Sequence, residues 1–141
     1  MSHLRTFGIA DPGQSLVEIA LALPLLLITL LGMVDVGRAY IYTTTVTNAA
    51  REAAYYAVTT SGATTTEVQQ RACNETGFTS YGAACATGIT VTCSGCPTGS
   101  GTDVTVTVTY QFSLASGYLF GALLGRDSLT ATGVASFRSL Q

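Results

Sequence analysis

Gly13-Gln14-Ser15-Leu16-Val17-Glu18-Ile19-Ala20-Leu21-Ala22-Leu23-Pro24-Leu25-Leu26-Leu27-Ile28-Thr29-Leu30-Leu31-Gly32-Met33-Val34-Asp35 is the stretch on which the fold of this chain turns. Between Glu18 and Asp35 it holds no charge at all. Residues 16–34 come close to the ~20 that a helix needs to cross a bilayer core. A secretory leader would end in small residues of the A-x-A kind just past the apolar run. Here the run passes into Met33-Val34-Asp35-Val36-Gly37-Arg38, which offers no such site. A soluble core helix apolar on all sides would need a larger partner core than 141 residues supply. The stretch therefore predicts a membrane span over 16–34.

Glu18 stands out in that span. A carboxylate at the edge of a lipid-facing helix is costly and marks function by default. It either reaches back to the headgroups or meets a positive amine on a neighbouring copy of the same segment. Ser15 and Glu18 have the spacing of a capping box. Pro24 removes one intrahelical bond and should kink the helix, which membrane helices tolerate. Beyond Asp35, steps of three and four link Val36, Ala39, Tyr40, Thr43, Val46, Ala50, Ala53 and Ala57, the pattern of an amphipathic helix packed on a sheet. Asp35 and Arg38 are three apart and would pair on its surface. Arg51-Glu52 reads as a solvated face. One helix from Ser15 to Val58 would be ~66 Å long.

Composition narrows the rest. Hydrophobic residues make up 48% and charged residues only 10%, with a mean hydropathy of +0.41; a soluble domain is about a quarter charged. Net charge is −2, lysine is absent, and the arginines are scattered singly, so no cluster could neutralise a run of phosphates. The one histidine, His3, lies before the span, which excludes Ser-His-acid and Cys-His machinery. No glycine run matches a phosphate-binding or dinucleotide fingerprint. Glu52, Glu67, Glu75, Asp103 and Asp127 are widely spaced. The chain is expected not to be an enzyme and to carry no cofactor or metal.

Cys73, Cys85, Cys93 and Cys96 fall close together in a Thr-, Ser- and Gly-rich second half. An even number in an exported module reads as two disulfides. Of the three pairings, Cys73–Cys85 with Cys93–Cys96 closes the shortest loops. A four-thiolate zinc site usually shows two CxxC knuckles, and only one is present.

Around the cysteines, Gly62 should interrupt the long helix. Thr64 to Cys73 has helical spacing, with Thr65 or Thr66 available as a cap. Residues 74–88 read as a loop, Ile89 to Cys93 as a half-buried strand, and Cys93 to Gly101 as turn. From Asp103 to Ser113, Val104, Val106, Val108, Tyr110 and Phe112 alternate with threonines and Gln111, the clearest strand in the chain. Tyr118 to Gly125 is an apolar crossover too short to span, expected against the core. Leu129, Ala131, Gly133, Ala135 and Phe137 alternate as a last strand. The fold class is therefore α+β: a long N-terminal helix, first transmembrane and then amphipathic, packed on a small antiparallel head.

Gly13-Gln14-Ser15-Leu16-Val17-Glu18 resembles the cleavage region of type IV-type prepilins. In those, a membrane peptidase cuts after a glycine and a glutamate stands fifth in the mature chain. Counted from Gln14, Glu18 is fifth. With Leu23-Pro24-Leu25-Leu26, Val34-Asp35-Val36-Gly37-Arg38 and Thr47-Asn48-Ala49-Ala50-Arg51-Glu52-Ala53-Ala54, the series is similar to the TadE-like pseudopilins of tight-adherence (Flp) pili. The resemblance implies a leader over 1–13, processing between Gly13 and Gln14 by prepilin peptidase, and a pilin-like helix over 14–58. It further implies an extracytoplasmic head over 59–141, assembly with other pilin subunits through Glu18, and a single-pass place in the cytoplasmic membrane. The alternative expectation is a stand-alone membrane-anchored binding domain in which Glu18 is merely interfacial.

Overall fold

The computed structural model describes residues 12–77, 85–96, 101–117, 125 and 127–139. Helix α1 spans Pro12–Thr59 and helix α2 spans Thr65–Glu75. Strands β1 (Ile89–Ser94), β2 (Asp103–Ser113) and β3 (Ser128–Arg138) form one sheet in the order β1-β2-β3. Both pairings are antiparallel: Val91 lies opposite Val108, and Val108 opposite Gly133. The expected helix-on-sheet α+β architecture is present.

Helix α1 is a single run of 48 residues that continues through Pro24. At 1.5 Å per residue it is ~72 Å long. It starts at Pro12, so Ser15 lies inside the helix and is not its N-cap. A proline is tolerated in the first turn because the N–H it lacks has no intrahelical partner there anyway. The leader expected over 1–13 lies almost wholly outside the described residues.

The middle of α1 is rich in β-branched residues, which are weak helix formers. Their hydroxyls bond back one turn: Thr43 donates to the Ala39 carbonyl at 2.8 Å, Thr44 to Tyr40 at 3.0 Å and Thr47 to Thr43 at 2.7 Å. Each threonine thereby satisfies its hydroxyl without leaving the helical backbone. After Thr59 the chain turns at Gly62, whose φ of +74° is a left-handed conformation open to glycine.

The cap of α2 is Thr64, one residue before the expected positions. Its side chain accepts from the Glu67 N–H, while the Glu67 carboxylate accepts from the Thr64 N–H at 2.9 Å. This reciprocal capping box sets the helix start, and the Thr64 N–H together with the Thr64 hydroxyl, which also donates to the carboxylate at 2.9 Å, holds the Glu67 carboxyl below its ordinary value. Val68, Ala72 and Cys73 are its buried residues. Gln69 donates to the Val91 carbonyl at 3.1 Å, fastening α2 to β1.

The core lies between the second half of α1 and the inner face of the sheet. The helix contributes Val46, Ala49, Ala50, Ala53, Ala54 and Ala57; the sheet contributes Val104, Val106, Val108, Phe112, Ala131 and Ala135. Fully burying each valine contributes about 1.5–3 kcal/mol relative to exposure. The helix side is nearly all alanine, so its backbone comes close to the strands. The threonines of β2 and β3 face outward, where the Thr105 hydroxyl donates to Ser136 Oγ at 3.0 Å.

The helix face differs from the sequence expectation in its membrane-proximal turns. Val46, Ala50, Ala53 and Ala57 are buried as expected, but Val36 and Tyr40 are 72% and 74% exposed, and Thr43 is exposed too. The stripe that packs on the head there runs Asp35, Ala39, Tyr42, Val46, also with three- and four-residue steps. The apolar crossover Tyr118–Gly125 lies outside the described residues apart from Gly125.

Cys73 is bonded to Cys85 and Cys93 to Cys96. The first bond ties the end of α2 to the segment that enters β1. The second closes the turn leaving β1. No thiol is left free and no metal-binding group of side chains occurs among the described residues.

Candidate functional site

The outward surface of α1 begins with uncovered apolar side chains. Leu16, Leu21 and Leu25 are 70%, 74% and 66% exposed. The most apolar window of the helix has none of its residues buried inside the protein. A soluble core helix would be covered by its own chain, and this one is not. One N-terminal helix is thus long and apolar enough to span a membrane.

Gly13, Gln14 and Glu18 all lie on the first turns of α1 and are solvent-facing in the isolated chain. The Gly13–Gln14 bond is within the helix, and nothing approaches within 4 Å of where a side chain would stand at Gly13. The structure brings these residues together only as neighbours along one helix. Glu18 and Asp35 bracket the charge-free run, about 26 Å apart along the axis at 1.5 Å per residue.

Asp35 has a role the sequence did not disclose. It is buried, not exposed, and its two carboxylate oxygens accept from the backbone N–H groups of Ala115 at 2.7 Å and Ser116 at 2.9 Å. These donors belong to the segment that leaves β2, far away in sequence. Burial works against the charged form. The Ser116 hydroxyl and N–H, the Ala115 N–H and the Arg38 guanidinium outweigh it and hold the carboxyl below its ordinary value. The Arg38 contact is long, at 3.9 Å, so the hydrogen bonds from the Ser116 hydroxyl and the two backbone N–H groups do most of the holding. A signal was available: Asp35 opens the same stepped series as Ala39, Tyr42 and Val46.

Arg38 sits beside this tie. Its guanidinium carbon is 5.7 Å from the centre of the Tyr42 ring and 5.9 Å from that of Phe112. The Tyr42 ring in turn lies 4.9 Å from Tyr110 and 4.7 Å from Phe112. A hydrogen bond with Tyr42 pushes the arginine pKa further up, so Arg38 is a fixed cation.

Higher on α1, Gly133 of β3 meets the backbone of Val46 and Thr47. A Cβ built at Gly133 would overlap the Val46 carbonyl. A lone glycine inside an alternating strand signals such close approach. The Cys73–Cys85 and Cys93–Cys96 bonds brace the head from the α2 and β1 side of the core.

Residues 13–54 match the family model described as TadE-like protein. Over that stretch, less than a third of the chain, α1 is similar to TadE-like proteins. No curated protein and no solved structure matches the chain significantly. The TadE-like segment covers the apolar span, Asp35, Arg38 and Val46, and ends among the buried alanines. It thus includes both the surface left uncovered by the chain and the helix side of the seam with the head.

Proposed function

We propose that the chain is a pilin-like structural or assembly subunit of a tight-adherence pilus, without catalytic activity of its own. Prepilin peptidase processes it after Gly13, and it assembles with other pilin or pseudopilin subunits through the first half of α1. The residues after Thr59 form a head outside the cytoplasmic membrane. The observation that carries this reading is the uncovered apolar surface of α1 within the TadE-like match. A helix so exposed needs either lipid or other subunits around it, and a pilin uses both in turn. Glu18, the one charge inside that surface, is the group that selects a neighbouring subunit by pairing with its amine.

Two measurements test the reading. Mass spectrometry of the chain co-expressed with prepilin peptidase should give a mature N-terminus at Gln14; a chain still beginning at Met1 sinks the processing step. Glu18→Gln should leave membrane insertion intact and abolish co-purification with partner subunits. Assembly that persists in this variant would instead favour a stand-alone anchored domain with an interfacial Glu18.

A further inference from the structure

The tie at Asp35 fixes the height of the head above the span. Because its carboxylate holds the N–H groups of Ala115 and Ser116, the end of β2 is level with the first residue after the apolar run. The Leu114 N–H donates to the Asp127 carbonyl at 2.9 Å, and Leu129 lies opposite Phe112, so the start of β3 is at the same level. The headgroup layer is ~5–7 Å thick on each side of the hydrocarbon. Val36 and Arg38 stand about 3 and 6 Å along the axis beyond Val34, within that layer, and Tyr40 and Ile41 about 9 and 10 Å, just past its outer edge, from which side chains leaning toward the N-terminus reach back into it. The first turns after the apolar run, with the end of β2 beside them, therefore lie at and just above the depth of the headgroups.

The side chains at that depth fit it. Val36, Tyr40 and Ile41 are 72%, 74% and 59% exposed, and Leu129 is 39% exposed. Solvent alone gives no reason for apolar and aromatic groups to gather there, whereas the interface favours amphipathic rings and aliphatic wedges. Among the described residues, the other exposed large apolar ones of the head, Tyr55, Val134 and Phe137, lie farther from the span; Phe137 is opposite Val104 near the start of β2. Arg38 supplies the charge. Helical side chains lean toward the N-terminus, which here is the membrane side, and Arg38 does so in approaching Asp35. Its side chain remains 35% exposed. Asp35 is already occupied by two N–H donors, so the guanidinium keeps capacity for an outside anion.

From this geometry, and resting on the reading of residues 16–34 as a span, we infer that the collar of α1 just beyond the span and the adjoining end of the head form a lipid-headgroup seat. Arg38 binds phospholipid phosphate, while Val36, Tyr40 and Ile41, on the sides of α1 turned away from the head, and Leu129 of β3 enter the interface at neighbouring depths. The occupant is the bilayer that holds the helix, because the seat continues directly from the lipid-facing surface.

The chain contains no tryptophan, so single substitutions give clean depth reporters in the full-length protein in vesicles. Three variants are compared: Leu25→Trp within the span, Ile41→Trp in the seat, and Tyr55→Trp ~21 Å farther along α1. Phospholipids brominated near the headgroup should quench Ile41→Trp at least threefold more than Tyr55→Trp, and deep-brominated lipids should quench Leu25→Trp. Equal quenching of Ile41→Trp and Tyr55→Trp, with Leu25→Trp quenched, overturns the seat and leaves the span standing. An unquenched Leu25→Trp overturns both. In vesicles where a brominated anionic phospholipid is the minor component, it should quench Ile41→Trp more than an equally brominated zwitterionic lipid does; Arg38→Gln should bring that contrast to near one, and Arg38→Lys should retain it. Loss in both variants, or in neither, overturns phosphate binding by Arg38. Free inorganic phosphate should not alter the contrast; if it abolishes it, the site takes soluble phosphate and the seat is wrong.

Discussion

Gly133 of β3 presses against the carbonyl of Val46 so closely that no side chain fits between strand and helix. Neither backbone can give way easily, because one belongs to a continuous helix and the other to a strand paired along its whole length. Gly133→Ala should therefore destabilise the head by about 2–4 kcal/mol, the cost of overpacking a rigid contact. Urea unfolding followed through the head tyrosines checks this. A change below about 0.5 kcal/mol would show that the seam is looser than the structure has it.

Asp35 gives a prediction in pH. Because the folded carboxyl titrates below its ordinary value of 3.8, its stabilisation is fully present above that value. It is lost as the pH falls through the lower, folded value. Head stability should thus be insensitive to this group at neutral pH and decline in acid below about pH 4. Asp35→Asn, which turns an amide N–H₂ toward one backbone donor, should cost about 3 kcal/mol at pH 7 and remove that acid dependence. Thermal melts at pH 3 and pH 7 of both proteins give the answer.

The two disulfides should not count equally. In the chain-entropy account, a bond closing a longer loop restricts the unfolded chain more. Cys73–Cys85 has a sequence separation of 12 and Cys93–Cys96 one of 3. Serine replacement of the first pair should cost ~3 kcal/mol, and of the second ~2 kcal/mol. Denaturant midpoints of the two double variants, in oxidising buffer, test the order.

Arg71 and Glu52 make a closer ion pair than any at the seam, at 2.6 Å. Both side chains are more than a third exposed, at 49% and 36%, so solvent screens the pair. Arg71→Ala should cost below ~1 kcal/mol, and 1 M salt should reduce even that. An effect as large as that of Asp35→Asn would reverse this ranking of exposed against buried carboxylates.

How much was legible in the sequence follows from what each residue meets. Val104, Val106 and Val108 announced β2 because a half-buried strand imposes a period of two. The span announced itself through an uninterrupted lack of charge. Val36 and Tyr40 misled, since an apolar residue one step off the packing stripe looks in sequence like one on it, and both are exposed. Asp35 misled in the opposite sense: its partners are backbone N–H groups some eighty positions away, and no local pattern encodes them. Gly133 carried a readable sign, a glycine inside a strand, but not the identity of what came close.

The continuity of α1 has a mechanical consequence. One rod carries the apolar run and forms the inner wall of the head, unbroken between Val34 and Val46 and held by a backbone-to-backbone contact at Val46, about three-quarters of the way along it. A pull along the lower half must therefore load the sheet in shear immediately, without first straightening a linker. Lifting such a subunit out of a membrane would move head and shaft as a single stiff piece.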